Sequence, residues 1–101
     1  MKRNNVLAKI RRGEPAFSFS LGMGSVLAAE IVANAGFDWI WLDAQHGCWG
    51  DTELFGALQV IYPTDCTPIV RPGSNEFWRI GRVLDAGAQG IIEYPLNKVI
   101  L

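Results

Sequence analysis

Residues 29–47 read AEIVANAGFDWIWLDAQHG, and this stretch decides the fold. Its centre, FDWIWL at 37–42, is aromatic, β-branched and almost wholly apolar, which predicts a strand buried on both faces. A helix is predicted to lead into it, with Ser25 as the N-cap and Gly36 as the stop. Apolar side chains recur between them at helical spacing: Leu27, Ala28, Ile31, Val32 and Ala35.

The same alternation of strands and helices continues on both sides of this stretch. Further strands are predicted at 16–21, 68–70 and 89–94, and further helices at the N-terminus, at 51–61 and at 76–86. Apolar side chains recur at helical spacing at Val6, Leu7 and Ile10 and at Leu54, Leu58 and Ile61, and at period two at Phe17, Phe19 and Leu21. The side chains predicted to face inward on the last helix are Phe77, Ile80, Val83 and Leu84. A helix followed by β-α-β-α-β-α-β predicts a parallel α/β sheet with right-handed crossovers.

Two architectures fit this order of elements. One is an open, doubly wound sheet, and the other is a piece of a (β/α)8 barrel. A complete barrel needs about 250 residues, so a chain of 101 residues supplies roughly half of one.

Composition and charge narrow the range of partners. The chain is 50% hydrophobic and 19% charged, which is typical of a globular protein, and its net charge of −1 gives no reason to expect nucleic acid. There is no apolar run long enough for a membrane span and no secretory leader, so a cytoplasmic location is expected. Cys48 and Cys66 have no metal-ligand spacing and are expected to be free thiols.

The candidate catalytic residues follow predicted strands directly. Asp43 and His46 come after the strand at 37–42, and Arg71 follows the strand at 68–70. Carboxyl ends of parallel strands share one rim, so an acid, an imidazole and a guanidinium are expected together. Asp43 could accept a hydrogen bond from one ring nitrogen of His46 and leave the other as a base, while Arg71 could grip a carboxylate or oxyanion.

Simpler, non-catalytic interpretations of these residues remain open. His46 could be a loop residue bonded to backbone, and Arg71 could form a salt bridge with Asp43 or Asp85. The Gly22–Gly24 loop, a GxG before a helix, could cradle a phosphate in a small ligand-binding module, although a tight turn into the helix is the better explanation, because the loop lacks a third glycine. Tryptophans also lie near the candidate residues. Trp39 and Trp41 are expected in the core, and Trp49 could form one wall of a pocket.

These residues fall into three motifs that together resemble one family. The stretch at 29–47 ends in D-x-[EQ]-H, PIVRP follows at 68–72, and VLDAGAQGII at 83–92. In this order and spacing they resemble the HpcH/HpaI family of metal-dependent pyruvate aldolases. The resemblance implies the N-terminal part of a TIM (β/α)8 barrel, about four β/α units with a short leading helix. Residues 1–101 would form a single partial domain, with 93–101 as an off-pattern tail.

The resemblance also implies an activity. Family members cleave 4-hydroxy-2-oxo acids reversibly into pyruvate and an aldehyde, and a divalent metal (magnesium, manganese or cobalt) stabilises the pyruvate enolate. His46 would then transfer protons, Asp43 would orient and polarise it, and Arg71 would bind the oxo-acid end of the substrate. Gln45, in a position where many members carry Glu, would also contact substrate.

The chain departs from the family pattern at its end. The family's Glu and Asp metal ligands come from strands further along, and no residue here matches them; Glu93 was not assigned that role. We therefore expect a truncated chain that is inactive alone, or a non-catalytic half-barrel that self-associates. Full-length relatives are typically oligomeric, so a homo-oligomer is expected.

Overall fold

Four helices and five strands make up the computed structural model, which describes residues 2–93 and 98–101. They are α1 (Asn5–Arg11), β1 (Ser18–Leu21), α2 (Val26–Ala33), β2 (Trp39–Asp43), α3 (Asp51–Ile61), β3 (Thr67–Arg71), α4 (Phe77–Asp85), β4 (Gly90–Glu93) and β5 (Lys98–Ile100). The predicted order is confirmed through β4, and Tyr94, the last residue of the predicted fourth strand, lies outside the described residues. The sequence did not predict β5.

The strands form one sheet in the order β1-β2-β3-β4-β5. The first four are parallel neighbours in chain order, whereas β5 runs antiparallel to β4. A doubly wound sheet reverses its strand order at a switch point, and β1 to β4 do not. The sheet therefore has the topology of a partial (β/α) barrel.

The core lies between the sheet and the helices. Ile40 and Leu42 on β2 and Val70 on β3 are 0% exposed, and they pack in one cluster with Leu54 and Leu58 of α3. Burying side chains of this size contributes about 1.5–3 kcal/mol each. On β2 the alternate residues, Trp39, Trp41 and Asp43, are only partly buried. The prediction of a strand buried on both faces is therefore right for the helix-covered face alone.

The local signals for helix ends are largely confirmed. The Ser25 side chain accepts a hydrogen bond from the backbone N–H of Ala28, as an N-cap should, and Gly36 follows α2 with a φ of 100°. At α3 the N-cap is Gly50, and Asp51 is the first helical residue. An acid in the first turn still interacts favourably with the helix dipole.

Several apolar side chains of the predicted helices and strands are exposed. Leu27 and Ile31 of α2 are 68% and 63% exposed, and the buried residues of that helix are Ala29 and Ala33. Because α2 is apolar nearly all round, periodicity could not choose its inner face, and small side chains let the helix approach closely. Phe77 and Leu84 of α4 are exposed, contrary to the prediction that they face inward, and Ile10, Phe17 and Phe19 are exposed as well.

Helix α1 closes the sheet at the amino ends of its strands. Val6 is buried, and its backbone N–H lies 3.4 Å from Thr67 Oγ1 at the start of β3. Lys2 Nζ donates to the carbonyl oxygens of Ile61 and Cys66, and Asn4 Nδ2 donates to the carbonyl of Gln89. Burial lowers the pKa of Lys2. These bonds connect the N-terminus to segments distant in the chain.

Both cysteines are free, as predicted. Cys48 is exposed, and burial raises the pKa of the Cys66 thiol to about 11. Among the described residues, none of the helices is long and apolar enough to cross a membrane.

Candidate active site at the carboxyl ends of the strands

Asp43 and Arg71 meet at the carboxyl ends of β2 and β3. The parallel register sets them directly opposite each other, because Asp43 is the last residue of β2 and Arg71 the last of β3. Arg71 Nε donates to Asp43 Oδ1 at 3.1 Å and Arg71 Nη2 to Asp43 Oδ2 at 2.5 Å. Their side chains are 14% and 13% exposed, so this is a largely desolvated, bidentate ion pair.

Trp41 supports the arginine from a second direction. Two residues before Asp43 on β2, it shares that residue's face of the strand, and Arg71 Cζ lies 4.9 Å from the centre of its ring. This contact is within the range of a cation–π interaction. Sequence reasoning had assigned Trp41 to the core. The contact of Trp41 with the site could have been predicted from the sequence, because Trp41 lies two residues before Asp43 and therefore on the same face of the strand.

Asp43 also organises the loop that follows it. Its Oδ1 accepts hydrogen bonds from the backbone N–H groups of Gln45 and His46, each at 3.0 Å. Burial alone raises the pKa of the Asp43 carboxyl, but the hydrogen bonds from Arg71, His46 and Gln45 outweigh it and hold the pKa below its usual value. The side chain is therefore a carboxylate at neutral pH.

His46 lies on this loop, but its ring does not pair with Asp43 as predicted. Asp43 contacts the backbone N–H of His46, and the imidazole makes no hydrogen bond or ion pair within the part of the chain that the structure describes. The side chain is exposed. The physical reason is that Arg71 and two backbone N–H groups already occupy the oxygens of Asp43.

The glycines near the site allow two loops to touch. Cys48 N–H donates to the carbonyl of Gly22 at 2.6 Å, and a Cβ at Gly24 would lie 2.5 Å from the Cys48 oxygen. Gly47 leaves equally little room, since a Cβ there would collide with the Asp43 carbonyl oxygen. Close backbone approach thus explains these glycines without a phosphate.

Trp49 is part of the core and holds the same loop down. The side chain is 7% exposed, and its Nε1–H donates to the carbonyl of Leu21 at 2.8 Å. The pocket predicted beside Trp49 is only a small cleft, which Trp49 lines together with Pro72, Arg79 and Val83.

Two buried polar atoms beside the ion pair lack partners. Trp41 Nε1 and Gln45 Oε1 are enclosed and make no hydrogen bond with any described residue. Leaving such a group unsatisfied costs about 1–3 kcal/mol. Groups of this kind at the end of a strand are suited to meeting a polar ligand.

A larger cavity lies at the opposite end of the sheet. It has a volume of about 790 Å³ and is lined by α1 and by residues at the amino ends of β2 and β3, including Arg3, Lys9, Asp38 and Asp65. Conserved chemistry in parallel barrels sits at the carboxyl ends, and the clustered Asp43, His46 and Arg71 follow that rule. We therefore assign the site by its chemistry and not by the size of the cavity.

The described residues do not fit the divalent metal that the resemblance implies. In residues 2–93 and 98–101 there is no group of three His, Cys, Asp or Glu side chains placed to hold a metal ion. Asp43 is engaged by Arg71, and Asp85 is exposed on α4. Glu93 ends β4 opposite Lys98 of β5. The described side chains therefore give no basis for a reaction step that uses a bound metal ion.

Four parallel strands that neighbour one another in chain order, with an acid, an arginine and a histidine at their carboxyl ends, define the chain as a partial (β/α) barrel. Comparison with known proteins gives the family. The chain is 38% identical over 96 residues to a pyruvate aldolase of Rhizobium etli, covering 94% of this chain and 38% of that protein. It is 35% identical over 89 residues to the 4-hydroxy-2-oxo-heptane-1,7-dioate aldolase of Escherichia coli, covering 88% of this chain and 34% of that one.

The fold comparison agrees. A crystal structure of a HpcH/HpaI aldolase/citrate lyase family protein from Burkholderia cenocepacia matches with a TM-score of 0.82 at 32% identity, covering 90% of this chain and 37% of that one. No family model matches the chain. The chain thus spans a little over a third of the length of these relatives. Over that part, it belongs to the HpcH/HpaI aldolase family.

Proposed function

We propose that this chain carries the oxo-acid-binding part of an aldolase that reversibly cleaves 4-hydroxy-2-oxo acids into pyruvate and an aldehyde. The observation that carries the proposal is the buried Asp43–Arg71 pair at the carboxyl ends of β2 and β3, with His46 on the loop beside it. The relatives named as aldolases support the same reaction class.

Arg71 would bind the oxo-acid end of the substrate. Asp43 occupies the edge of the guanidinium formed by Nε and Nη2, so the edge formed by the two Nη atoms is available to a ligand. That edge can donate two parallel hydrogen bonds to a carboxylate or to adjacent carboxylate and keto oxygens. It would also stabilise negative charge that builds on the keto oxygen during cleavage.

His46 would transfer the proton. In the cleavage direction its imidazole takes the proton of the C4 hydroxyl, the C3–C4 bond breaks, and the bonding electrons pass to the C2 keto oxygen. An aldehyde leaves, and the remaining pyruvate enolate takes the proton back at C3. An exposed imidazole that has no hydrogen-bond partner among the described residues is free to meet a substrate hydroxyl.

Asp43 and Gln45 would have supporting roles. Asp43 fixes the guanidinium through two hydrogen bonds and fixes the loop through the N–H of His46, so it acts on His46 through the backbone and not through the ring. Gln45 presents a buried, unpaired carbonyl oxygen that can accept a hydrogen bond from substrate. A divalent cation, if the family's chemistry applies, would need ligands other than the described side chains.

The test is an assay of retro-aldol cleavage of 4-hydroxy-2-oxo acids and of proton exchange at pyruvate C3, with Mg²⁺ or Mn²⁺ added. Pyruvate C3 exchange above a His46→Ala control supports the proposal. Equal exchange in wild type and His46→Ala, together with no pyruvate binding that depends on Arg71, would overturn it.

A second candidate function is self-association as a non-catalytic half-barrel, and exposed apolar side chains favour it. Phe17, just before β1, and Leu27 and Ile31 of α2 are 67%, 68% and 63% exposed, and β1 pairs only with β2 within the described residues. An unpaired edge beside an apolar surface promotes association. Sedimentation velocity from micromolar to millimolar protein tests it, with a Leu27→Lys, Ile31→Lys double variant as control. A monomer at every concentration would exclude this function.

We also propose that the protein works in the cytoplasm and without nucleic acid. Two free thiols suit a reducing compartment, and a net charge of −1 offers no attraction for phosphate backbones. Fractionation of cells that express a tagged chain tests the location.

A further inference from the structure

We propose that Trp41 is a positioning residue for Arg71, and that its indole ring holds the guanidinium flat so that the free Nη edge faces the oxo acid. The inference rests on the proposed function for the identity of the ligand. The part of the inference that concerns Arg71 alone, which we call the clamp, rests on the contacts of the Arg71 guanidinium with Trp41 and Asp43.

The guanidinium is constrained in two independent directions. Asp43 bonds to its edge through Nε and Nη2, which fixes the fork within its own plane. The Trp41 ring, with its centre 4.9 Å from Arg71 Cζ, lies close enough to resist movement out of that plane. Because both contacts come from β2 and Arg71 comes from the neighbouring strand, the sheet itself sets the geometry. Sites built on strands are held more accurately than sites on loops.

The identity of the residue supports this role. A buried indole N–H without a partner is unfavourable, and Trp41 Nε1 is such a group among the described residues. Phe would fill the position without that penalty, but tryptophan offers the strongest attraction for a cation. Trp41 is therefore better explained by its contact with Arg71 than by packing alone.

Trp39 provides a matched control. It lies on the same strand and the same face, is also partly buried, and stands opposite Thr67 where Trp41 stands opposite Ile69. Among the described residues the cation–π partner of Arg71 is Trp41 and not Trp39. Trp39→Leu therefore imitates the loss of packing in Trp41→Leu without touching the guanidinium.

The experiment measures pyruvate affinity by NMR titration in the presence of Mg²⁺ for wild type, Trp41→Leu, Trp41→Phe and Trp39→Leu. Trp41→Leu is expected to weaken binding by about three- to tenfold, Trp41→Phe by less, and Trp39→Leu not at all. In an Arg71→Lys background, Trp41→Leu should have little further effect, because the ring acts through the guanidinium. A purely structural role would give the same loss in both backgrounds and would overturn the inference.

A second readout needs no ligand and separates this inference from the proposed function. Exchange of the Arg71 Nε proton with water should be several-fold faster in Trp41→Leu than in wild type, and unchanged in Trp39→Leu. If wild type binds no pyruvate but exchange accelerates, the proposed function fails and the clamp stands. If exchange is the same in both leucine variants, Trp41 does not position Arg71.

Discussion

At the amino ends of the strands, α1 lies on the sheet with Val6 buried and with Lys2 and Asn4 bonded to carbonyls far along the chain. At the carboxyl ends, the ion pair between Asp43 and Arg71 is largely desolvated, and His46 is exposed, with no partner for its ring in the described part of the chain. One buried acceptor, Gln89 Oε1, is unpaired at the amino end as well. The contrast is otherwise the division expected of parallel barrels, with stability at one end and chemistry at the other.

The largest effect should come from breaking the ion pair. Asp43→Ala or Arg71→Ala should each lower the free energy of unfolding by about 3 kcal/mol, because the remaining charge is left largely buried. The double variant should lose far less than the sum of the two, since each removes the same interaction. Urea denaturation of the four proteins measures this cycle. Additive losses would mean that the two side chains are not coupled.

A smaller loss of stability is expected from a substitution at the amino ends of the strands. Val6→Ala should lower the free energy of unfolding by about 2 kcal/mol, because a side chain only 2% exposed is cut back. Pyruvate affinity should not change. Ile10→Ala on the same helix is the control, because Ile10 is 52% exposed and its loss should stay within about 0.5 kcal/mol. A drop in pyruvate affinity for Val6→Ala would contradict the view that the amino ends of the strands provide stability and the carboxyl ends bind the ligand.

The order of elements, the four parallel strands and the positions of Asp43 and Arg71 at strand ends could all be predicted from the sequence. Strands with apolar cores and clear turn residues give strong local signals. The inner face of α2 could not be predicted, because Leu27 and Ile31 are as apolar as the alanines that are in fact buried. The antiparallel β5 was missed because residues 93–101 depart from the family pattern and were therefore expected to form a tail.

The partners of Asp43 show where spacing alone fails. Asp43 and His46 are three positions apart in the sequence, and this closeness suggested a hydrogen bond to the imidazole ring. The bond with Arg71 depends on the register of two strands that lie 28 residues apart in sequence. Because strand register depends on tertiary structure, the sequence allows this salt bridge but does not distinguish it from the other possible partners of Arg71.

Acid should weaken the carboxyl end by a further, smaller amount. The folded-state pKa of Asp43 lies below its usual value, so its contribution to stability is fully present above about pH 4 and is lost as pH falls through the folded-state pKa. The effect is modest because burial opposes the hydrogen bonds. Urea midpoints measured as pH is lowered should fall more steeply for wild type than for Asp43→Asn. Parallel curves would contradict the assignment.

The smallest effect on stability is expected for His46. An exposed side chain whose ring has no partner among the described residues should change the free energy of unfolding by less than about 0.5 kcal/mol when replaced by alanine. Pyruvate proton exchange should nevertheless be lost. Thermal melts beside the exchange assay make this comparison, and a large loss of stability would show that His46 is structural.

The most direct test of the account is to map where pyruvate binds by amide chemical-shift changes in the isotope-labelled chain. We predict shifts at Gln45, His46 and Arg71, which disappear in Arg71→Lys. Shifts clustered at Lys2, Val6 and Gln89, or none at any concentration, would contradict the claim that the carboxyl rim holds the site.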